Sequence, residues 1–280
     1  METKEDISEY SRKPDDFILI DIDEKVAIKL IIDAFQGSKE KGSDFNIFNN
    51  IIYNDDQLHN WSKFSGCYCL TNILVKDLGL KSEGKPGEID VILVPFNETT
   101  VFFEKTSAFE IKVAKPDFNK IHKGANSDGF SQTMGLIKLG FPYVGLLHIV
   151  MYRPLPNDQK PEIQFLKRPL NSYESNKFSW PDMDEVEMIK WDWLPFFAQR
   201  NQMKRMLTYD IPKYVGLKSI SLNFSQDGSF GIGHTEDFRS FENGSLNPHH
   251  LSHTVIAIKN YIQNNPTDYQ TINFSRPWLK

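Results

Sequence analysis

The sequence predicts a mixed α/β sheet with helices packed on it, and three observations carry that expectation. Segment 88–96 (EIDVILVPF) is a short run rich in Val, Ile and Leu, the composition of a strand. Segment 143–152 (YVGLLHIVMY) is apolar almost throughout, which suits a strand buried on both faces. Between them, 127–139 repeats its apolar residues at helical spacing. The 280 residues, 40% hydrophobic and 25% charged, are enough for one large domain or two small ones.

Residues 1–16 are polar. The opening METKEDISEYSRKPDDF has no basic n-region and no apolar h-region, so no secretory signal is expected. Val26, Ile28, Leu30, Ile31, Ala34 and Phe35 predict an amphipathic helix starting near 21–23, with acids in its first turn. Gly-Ser pairs at 37–38 and 42–43 then break the chain. Over 60–80, Phe64, Cys67, Leu70, Ile73, Leu74 and Leu78 fall near one helical face and Gly79 closes the run, so a second helix is expected. A loop at 81–87 (KSEGKPG) leads into the strand 88–96. Segments 101–103 and 108–113 (AFEIKV) read as extended, and Pro116 ends the second. The helix at 127–139 stops at Gly140 and Pro142, before the apolar strand 143–152. The expected central order is helix, strand, strand, helix, strand.

From Pro154 to 182 the chain is rich in Pro, Asn and Lys, with a short strand expected at Glu162–Leu166. A boundary near 158 divides a core, 17–158, from a C-terminal α+β extension, 159–280. The extension either carries substrate or partner contacts or belongs to the same compact domain. Within it, 185–207 is expected to be a helix that Pro195 kinks or divides. Segments 219–224 and 229–233 flank Asp227-Gly228, a hairpin signal. A last helix spans 248–264 and ends at Asn264-Asn265-Pro266.

Several function classes drop out. Lys and Arg total 32 against 37 Asp and Glu, a formal charge of -5, so nucleic-acid contact needs a local basic patch. Two cysteines make no disulfide framework, and no apolar run is long enough to span a membrane; a cytoplasmic protein is expected. Phosphate-loop, nucleophile-elbow and H-E-x-x-H patterns are absent. Cys67 and Cys69 are too closely spaced for structural zinc, and Cys67 is expected to pack inside a helix. His249 and His253 stand four apart on the last helix without further ligands, and His148 reads as a core histidine.

One constellation carries chemistry. On 108–113, Glu110 and Lys112 share one face of a strand, and Phe109, Ile111 and Val113 the other. On 87–95, Glu88 and Asp90 share a face opposite Ile89, Val91 and Leu93. If these strands are neighbours, Asp90, Glu110 and Lys112 converge. Burying such charges is costly unless they are paired or bind metal. Mg²⁺ takes oxygen ligands, and an ammonium beside a phosphate stabilises developing charge. The plain alternative is an exposed Glu–Lys pair on a solvated strand.

Gly87-Glu88-Ile89-Asp90, followed twenty residues on by Glu110-Ile111-Lys112, resembles the PD-(D/E)xK nuclease superfamily. The resemblance spans roughly 60–152 and implies a restriction-endonuclease-like fold, a mixed central sheet flanked by helices. It implies Mg²⁺ or Mn²⁺ held by Asp90, Glu110 and the carbonyl of Ile111, with Lys112 stabilising charge on the phosphate and positioning water. Gln132 resembles the glutamine of the RecB-like and Cas4-like branch, whose tyrosine four residues later is replaced by Leu136. Ile89 stands where the literal proline would be; some members bring an extra glutamate from the first helix, a place Glu24 could fill on loose spacing alone. The implied activity is phosphodiester hydrolysis, on DNA by the habit of the superfamily, in phage defence or restriction. The alternative is a catalytically silent nucleic-acid-binding or assembly subunit of a larger nuclease complex. A second copy of the chain, or a larger motor or recognition protein, is the partner to expect.

Lys115, Lys120 and Lys123 follow the catalytic strand and suit phosphate contacts, or simply belong to a solvated loop. Arg200, Lys204, Arg205, Lys213 and Lys218 would track a nucleic-acid backbone or form the polar face of a helix. Trp191, Trp193, Phe196 and Phe197 would stack on bases or, more simply, form core or interface.

Overall fold

The computed structural model describes residues 17–18, 20–41, 64–81, 84, 86–115, 129–151, 156, 158–160, 162–166, 186–190, 194–225, 228–233, 241–242 and 244–273. These form a mixed α/β structure around one large sheet. In chain order the elements are β1 (Phe17–Ile18), α1 (Glu24–Lys41), β2 (Gly66–Leu74), β3 (Glu88–Phe96), β4 (Ser107–Ala114), α2 (Phe130–Lys138) and β5 (Tyr143–Met151). There follow β6 (Glu162–Leu166), β7 (Val186–Lys190), α3 (Leu194–Met206), β8 (Gly216–Ser225), β9 (Phe230–Gly233), β10 (Phe241–Glu242), α4 (Ser252–Asn264) and β11 (Gln270–Asn273). A 3₁₀ turn, Phe103–Lys105, sits before β4.

The sheet runs β1-β8-β5-β4-β3-β2-β11, with β9 and β10 also pairing β8. Strand β5 is parallel to both its neighbours, β4 and β8, and the other pairs are antiparallel. A parallel pair needs a crossover, and α2 lies within the one from β4 to β5. All nine residues of β5 are buried, which is why its sequence is apolar on both faces. Strands β6 and β7 pair with each other in a separate two-stranded sheet. The segment after 158 supplies β8 beside β5 and β11 beside β2, so it adds strands toward both edges of the same sheet.

Helices cover both faces. Ala27, Ile28, Ile31 and Ile32 of α1 pack on Val91, Leu93, Phe109, Ile111, Leu147 and Ile149. Leu136 and Ile137 of α2, Met203 and Met206 of α3, and Ile258 and Ile262 of α4 fill the opposite side with Ile92, Val94, Leu146 and Leu217. Burying a Leu- or Ile-sized side chain is worth about 1.5–3 kcal/mol, so these two layers are the main hold on the sheet. Helix α1 begins where the side chain of Asp23 accepts the N–H of Val26 at 2.8 Å, an N-cap at the place where the sequence predicts a start.

Three sequence expectations are corrected. Over its described residues, 64–80, the helix expected at 60–80 is instead strand β2 and a following turn. Its apolar residues imitate helical spacing because the alternation reverses midway. Cys67 and Cys69 enter the α1-side cluster, whereas Leu70 and Ile73 enter the opposite one. Between them Asn72 has φ 54°, a left-handed conformation that turns the strand over. Cys67 and Cys69 are therefore buried in a strand rather than in a helix. Among its described residues, the single helix expected over 185–207 is β7 followed by α3. Pro195 lies in the first turn of α3, where its missing N–H costs no hydrogen bond. Last, Val101 makes an isolated bridge with Phe96, and Phe103 opens the 3₁₀ turn, so 101–103 is not a strand.

The hairpin at Gly228 is present as β8–β9, with Gly228 at φ 80°. No helix among the described residues is long and apolar enough to cross a membrane.

Candidate active site

Strands β3 and β4 are the neighbours that the constellation requires. They pair through Val91↔Phe109, Ile92↔Ala108 and Leu93↔Ser107, and continuing that register sets Asp90 opposite Glu110. The backbone ladder stops at Val91, although both strands run on. There the side chain of Asp90 takes over: its Oδ2 accepts the N–H of Ile111 at 2.6 Å. In an extended strand the N–H and C=O of one residue point to the same edge, so the carbonyl of Ile111 also faces the β3 side.

The alternation of β3 reverses at the same place. Val91 and Leu93 join the α1-side cluster, but Ile89 joins the opposite one, so Ile89 does not share their face as expected. By the β2–β3 register, Asn72 stands across from Asp90, between the pairs Thr71↔Val91 and Ile73↔Ile89. The kinks in the two strands coincide and free Asp90 from regular pairing.

Glu110 is fully buried, and Asp90 nearly so. Lys112 Nζ lies 2.7 Å from Glu110 Oε1 and 3.0 Å from Glu24 Oε1, at the first residue of α1. The structure thus brings together Asp90, Glu110, Lys112 and Glu24. Glu110 Oε2 has no hydrogen-bond partner among the described residues. Burial raises the carboxyl of Asp90 above the ordinary aspartate range, against the pull of the Ile111 N–H and the Lys112 ammonium. Burial, and then the charge of Asp90, raises Glu110, again against Lys112. Burial works to lower Lys112, but Glu110, Asp90 and Glu24 overcome it and hold the ammonium above its usual value. The arrangement has two carboxylates that repel and one cation already shared with a third acid.

Helix α2 closes the site. Its N-cap, Gly129, has φ 101°, and a Cβ there would stand 3.1 Å from Lys112 Cγ and 3.5 Å from Glu110 Cγ. Glycine is needed on both counts, since the backbone packs against the two catalytic candidates and is left-handed. Gln132 is half-buried in the first turn of α2. It joins neither the Asp90–Ile111 bond nor the Lys112 ion pairs.

The remaining candidates scatter. Lys115, just past β4, is exposed and pairs with Asp21. Lys120 and Lys123 lie outside the described residues, as do Trp191, Trp193 and the side chains of Phe196, Phe197 and Arg200. Lys218 does not extend an exposed basic stretch: it is buried on β8, where desolvation lowers its ammonium to about 8. Glu88 pairs with Lys25 at 2.9 Å. His249 precedes α4, so His249 and His253 are not one helical turn apart on it.

Sequence reasoning missed two neighbours of the site. His148 of β5 lies beside Lys112 in the β4–β5 register and is fully buried, with its Nδ1 2.6 Å from Gln202 Nε2 of α3. Burial, helped by the charges of Lys112 and Arg205, lowers its pKa to about 4. Asn72 is the other; a strand run containing Asn was the available signal.

Among the described residues no group of three or more His, Cys, Asp or Glu side chains is gathered as a metal cage. The donor set nonetheless fits a hard divalent cation: two facing carboxylates raised by burial, Glu110 also by the charge of Asp90 and with an orphaned oxygen, beside a strand edge bearing a carbonyl. Compared with known families, curated proteins and solved structures, the chain matches none.

Proposed function

We propose that the chain is a metal-dependent nuclease of the PD-(D/E)xK type with a restriction-endonuclease-like fold. The observation that carries this reading is Asp90 opposite Glu110 where β3 and β4 part, with Lys112 ion-paired to Glu110. An exposed Glu–Lys pair would not be buried, nor face a second acid inserted into the ladder.

Asp90, Glu110 and the carbonyl of Ile111 would hold Mg²⁺ or Mn²⁺. Bound between these residues, a divalent cation would supply a lowered pKa for its water and positive charge beside a phosphate oxygen. Lys112 stays protonated throughout the neutral range and presents its ammonium to charge developing on the phosphate. Glu24 holds that ammonium from the α1 side, so Lys112 is positioned before substrate arrives. Gln132, in the first turn of α2, and Lys115, beyond β4, are the substrate contacts in this reading, with Lys115 exchanging Asp21 for a phosphate. DNA is the proposed substrate, and phage defence or restriction the setting; both rest on the resemblance.

The test is incubation of purified protein with linear, circular and single-stranded DNA, and with RNA, in Mg²⁺ or Mn²⁺, beside an EDTA control. Metal-dependent cleavage that Lys112→Ala abolishes is the expected result. A folded wild type that binds Mn²⁺ yet cuts none of these substrates would refute the reading as a self-sufficient nuclease.

A further inference from the structure

The face of the sheet that bears Glu110 and Lys112 continues into β5 and β8 as a buried polar row. The register aligns Lys112↔His148↔Ser219, with Glu110 one step back beside Leu146. Helix α3 covers the row: Gln202 meets His148, and Gln199 Nε2 donates to the carbonyl of Ser219 at 2.7 Å. An amide nitrogen can only donate, so His148 Nδ1 accepts from Gln202. The ring proton of the neutral imidazole is then on Nε2. That N–H is a fully buried donor with no hydrogen-bond partner among the described residues. Glu110 Oε2 is a fully buried acceptor with none, diagonal to it on the same face. Ser219 Oγ, next in the row, is likewise unpartnered.

Leaving such groups unsatisfied is expensive, and buried water commonly bridges groups of this kind when two to four polar partners surround it. We propose that His148 is a positioning residue for Glu110, acting through one enclosed water that accepts from His148 Nε2–H and donates to Glu110 Oε2. Gln202 fixes the tautomer, the imidazole fixes the water, and the water fixes the orientation of the carboxylate. The inference deepens the nuclease reading, since the group being oriented is the acid placed at the metal. Such outer partners of a metal-binding group change metal affinity about 10–100-fold when removed.

The first readout needs no catalysis. In ¹⁵N-labelled protein the imidazole signals of His148, assigned by their loss in His148→Gln, are expected to show one Nε2–H tautomer from pH 5.5 to 8. Its slowly exchanging Hε2 is expected to shift in Glu110→Gln and not in Glu88→Gln. An Nδ1–H tautomer, or an Hε2 unmoved by Glu110→Gln, overturns the proposal. The second readout is Mn²⁺ titration by calorimetry, on variants with wild-type circular dichroism. His148→Leu is expected to weaken binding at least tenfold, and His148→Gln, whose amide still donates, to recover most of it. Equal affinity in wild type and His148→Leu overturns the proposal as well. A wild type that binds Mn²⁺ and cleaves nothing would sink the nuclease reading alone, because the Hε2 response reports on Glu110 without turnover.

Discussion

Replacing Glu110 by glutamine is expected to stabilise the metal-free protein while abolishing its response to metal. Glu110 is fully buried, and burial together with the facing Asp90 raises its carboxyl. Each pKa unit of that rise costs the ionised form about 1.4 kcal/mol. The substitution also removes the Glu110–Lys112 ion pair, but Lys112 keeps Glu24 at 3.0 Å. The rise already nets the Lys112 attraction against desolvation and repulsion, so relief of even one unit of it leaves a gain of about 1–2 kcal/mol. For a chain of this size that is roughly 2–6 °C in Tm. The pH dependence has a definite sign. A carboxyl raised above its unfolded value favours the fold at low pH and loses that contribution as pH rises through the raised pKa. The advantage of Glu110→Gln is therefore small at pH 5 and grows toward pH 8. Mn²⁺ at one hundred times its Kd should stabilise wild type by about 2.7 kcal/mol and leave Glu110→Gln little changed. The assay is thermal melting at pH 5 and pH 8, with and without Mn²⁺. A variant that melts below wild type at pH 8 without metal would refute the reasoning, because Glu110 would then be a net stabilising partner of Lys112. Equal stabilisation of both proteins by Mn²⁺ would place the metal elsewhere.

Three further outcomes follow from the same geometry. His148 stays neutral in the fold down to about 4, against 6.5 for the ordinary imidazole, so the unfolded chain binds a proton first. That contribution to stability is complete above about pH 6.5 and falls by about 3 kcal/mol as pH drops toward 4; denaturant unfolding should show a flatter profile there for His148→Gln. Gly129→Ala should cost about 1–3 kcal/mol and depress cleavage, because φ 101° and the contacts with Lys112, Glu110 and Leu146 both resist a Cβ; chemical denaturation with a cleavage assay checks both, and a neutral result would mean α2 does not rest on the site. Glu24→Gln should change stability by only about 0.5 kcal/mol, since Glu24 is partly exposed, yet lower kcat more than it raises KM; an unchanged kcat would mean Lys112 needs no hold from α1.

Much of the candidate site was legible because strand alternation holds over most of β3 and β4. The β3 and β4 runs keep Ile89, Val91, Ile92, Val94, Phe109 and Ile111 in the core, so Asp90, Glu110 and Lys112 stood out as charges where burial was expected. The hairpin at Gly228 and the end of α4 were likewise written in local turn chemistry. The helix expected over 60–80 failed because one left-handed residue, Asn72, reversed the alternation of β2, and a reversed period of two imitates a period near three. The role of β7 was hidden because its neighbour in sequence, α3, shares its apolar character. His148 looked like ordinary core: nothing in its own segment says that Lys112 will lie beside it, or that α3 will bring Gln202 from 54 residues away.

The kink at Asn72 and the site at Asp90 have one physical origin. A carboxylate can accept a backbone N–H of a neighbouring strand only where the carbonyls of the carboxylate's own strand have withdrawn. Here β3 turns over opposite the left-handed Asn72, the β3–β4 ladder ends at Val91, and Asp90 Oδ2 takes the N–H of Ile111. Regular pairing through residue 90 would supply that N–H with a backbone partner and leave the Asp90 carboxylate buried without one, at a cost the fold would have to meet elsewhere. The irregularity in β2 is therefore part of the site. Asn72→Val, which favours extended backbone, is expected to restore regular pairing at the expense of the Asp90–Ile111 bond. Its signature would be loss of Mn²⁺ affinity with the fold retained, a combination that damage to the core at Leu70 or Ile73 would not produce.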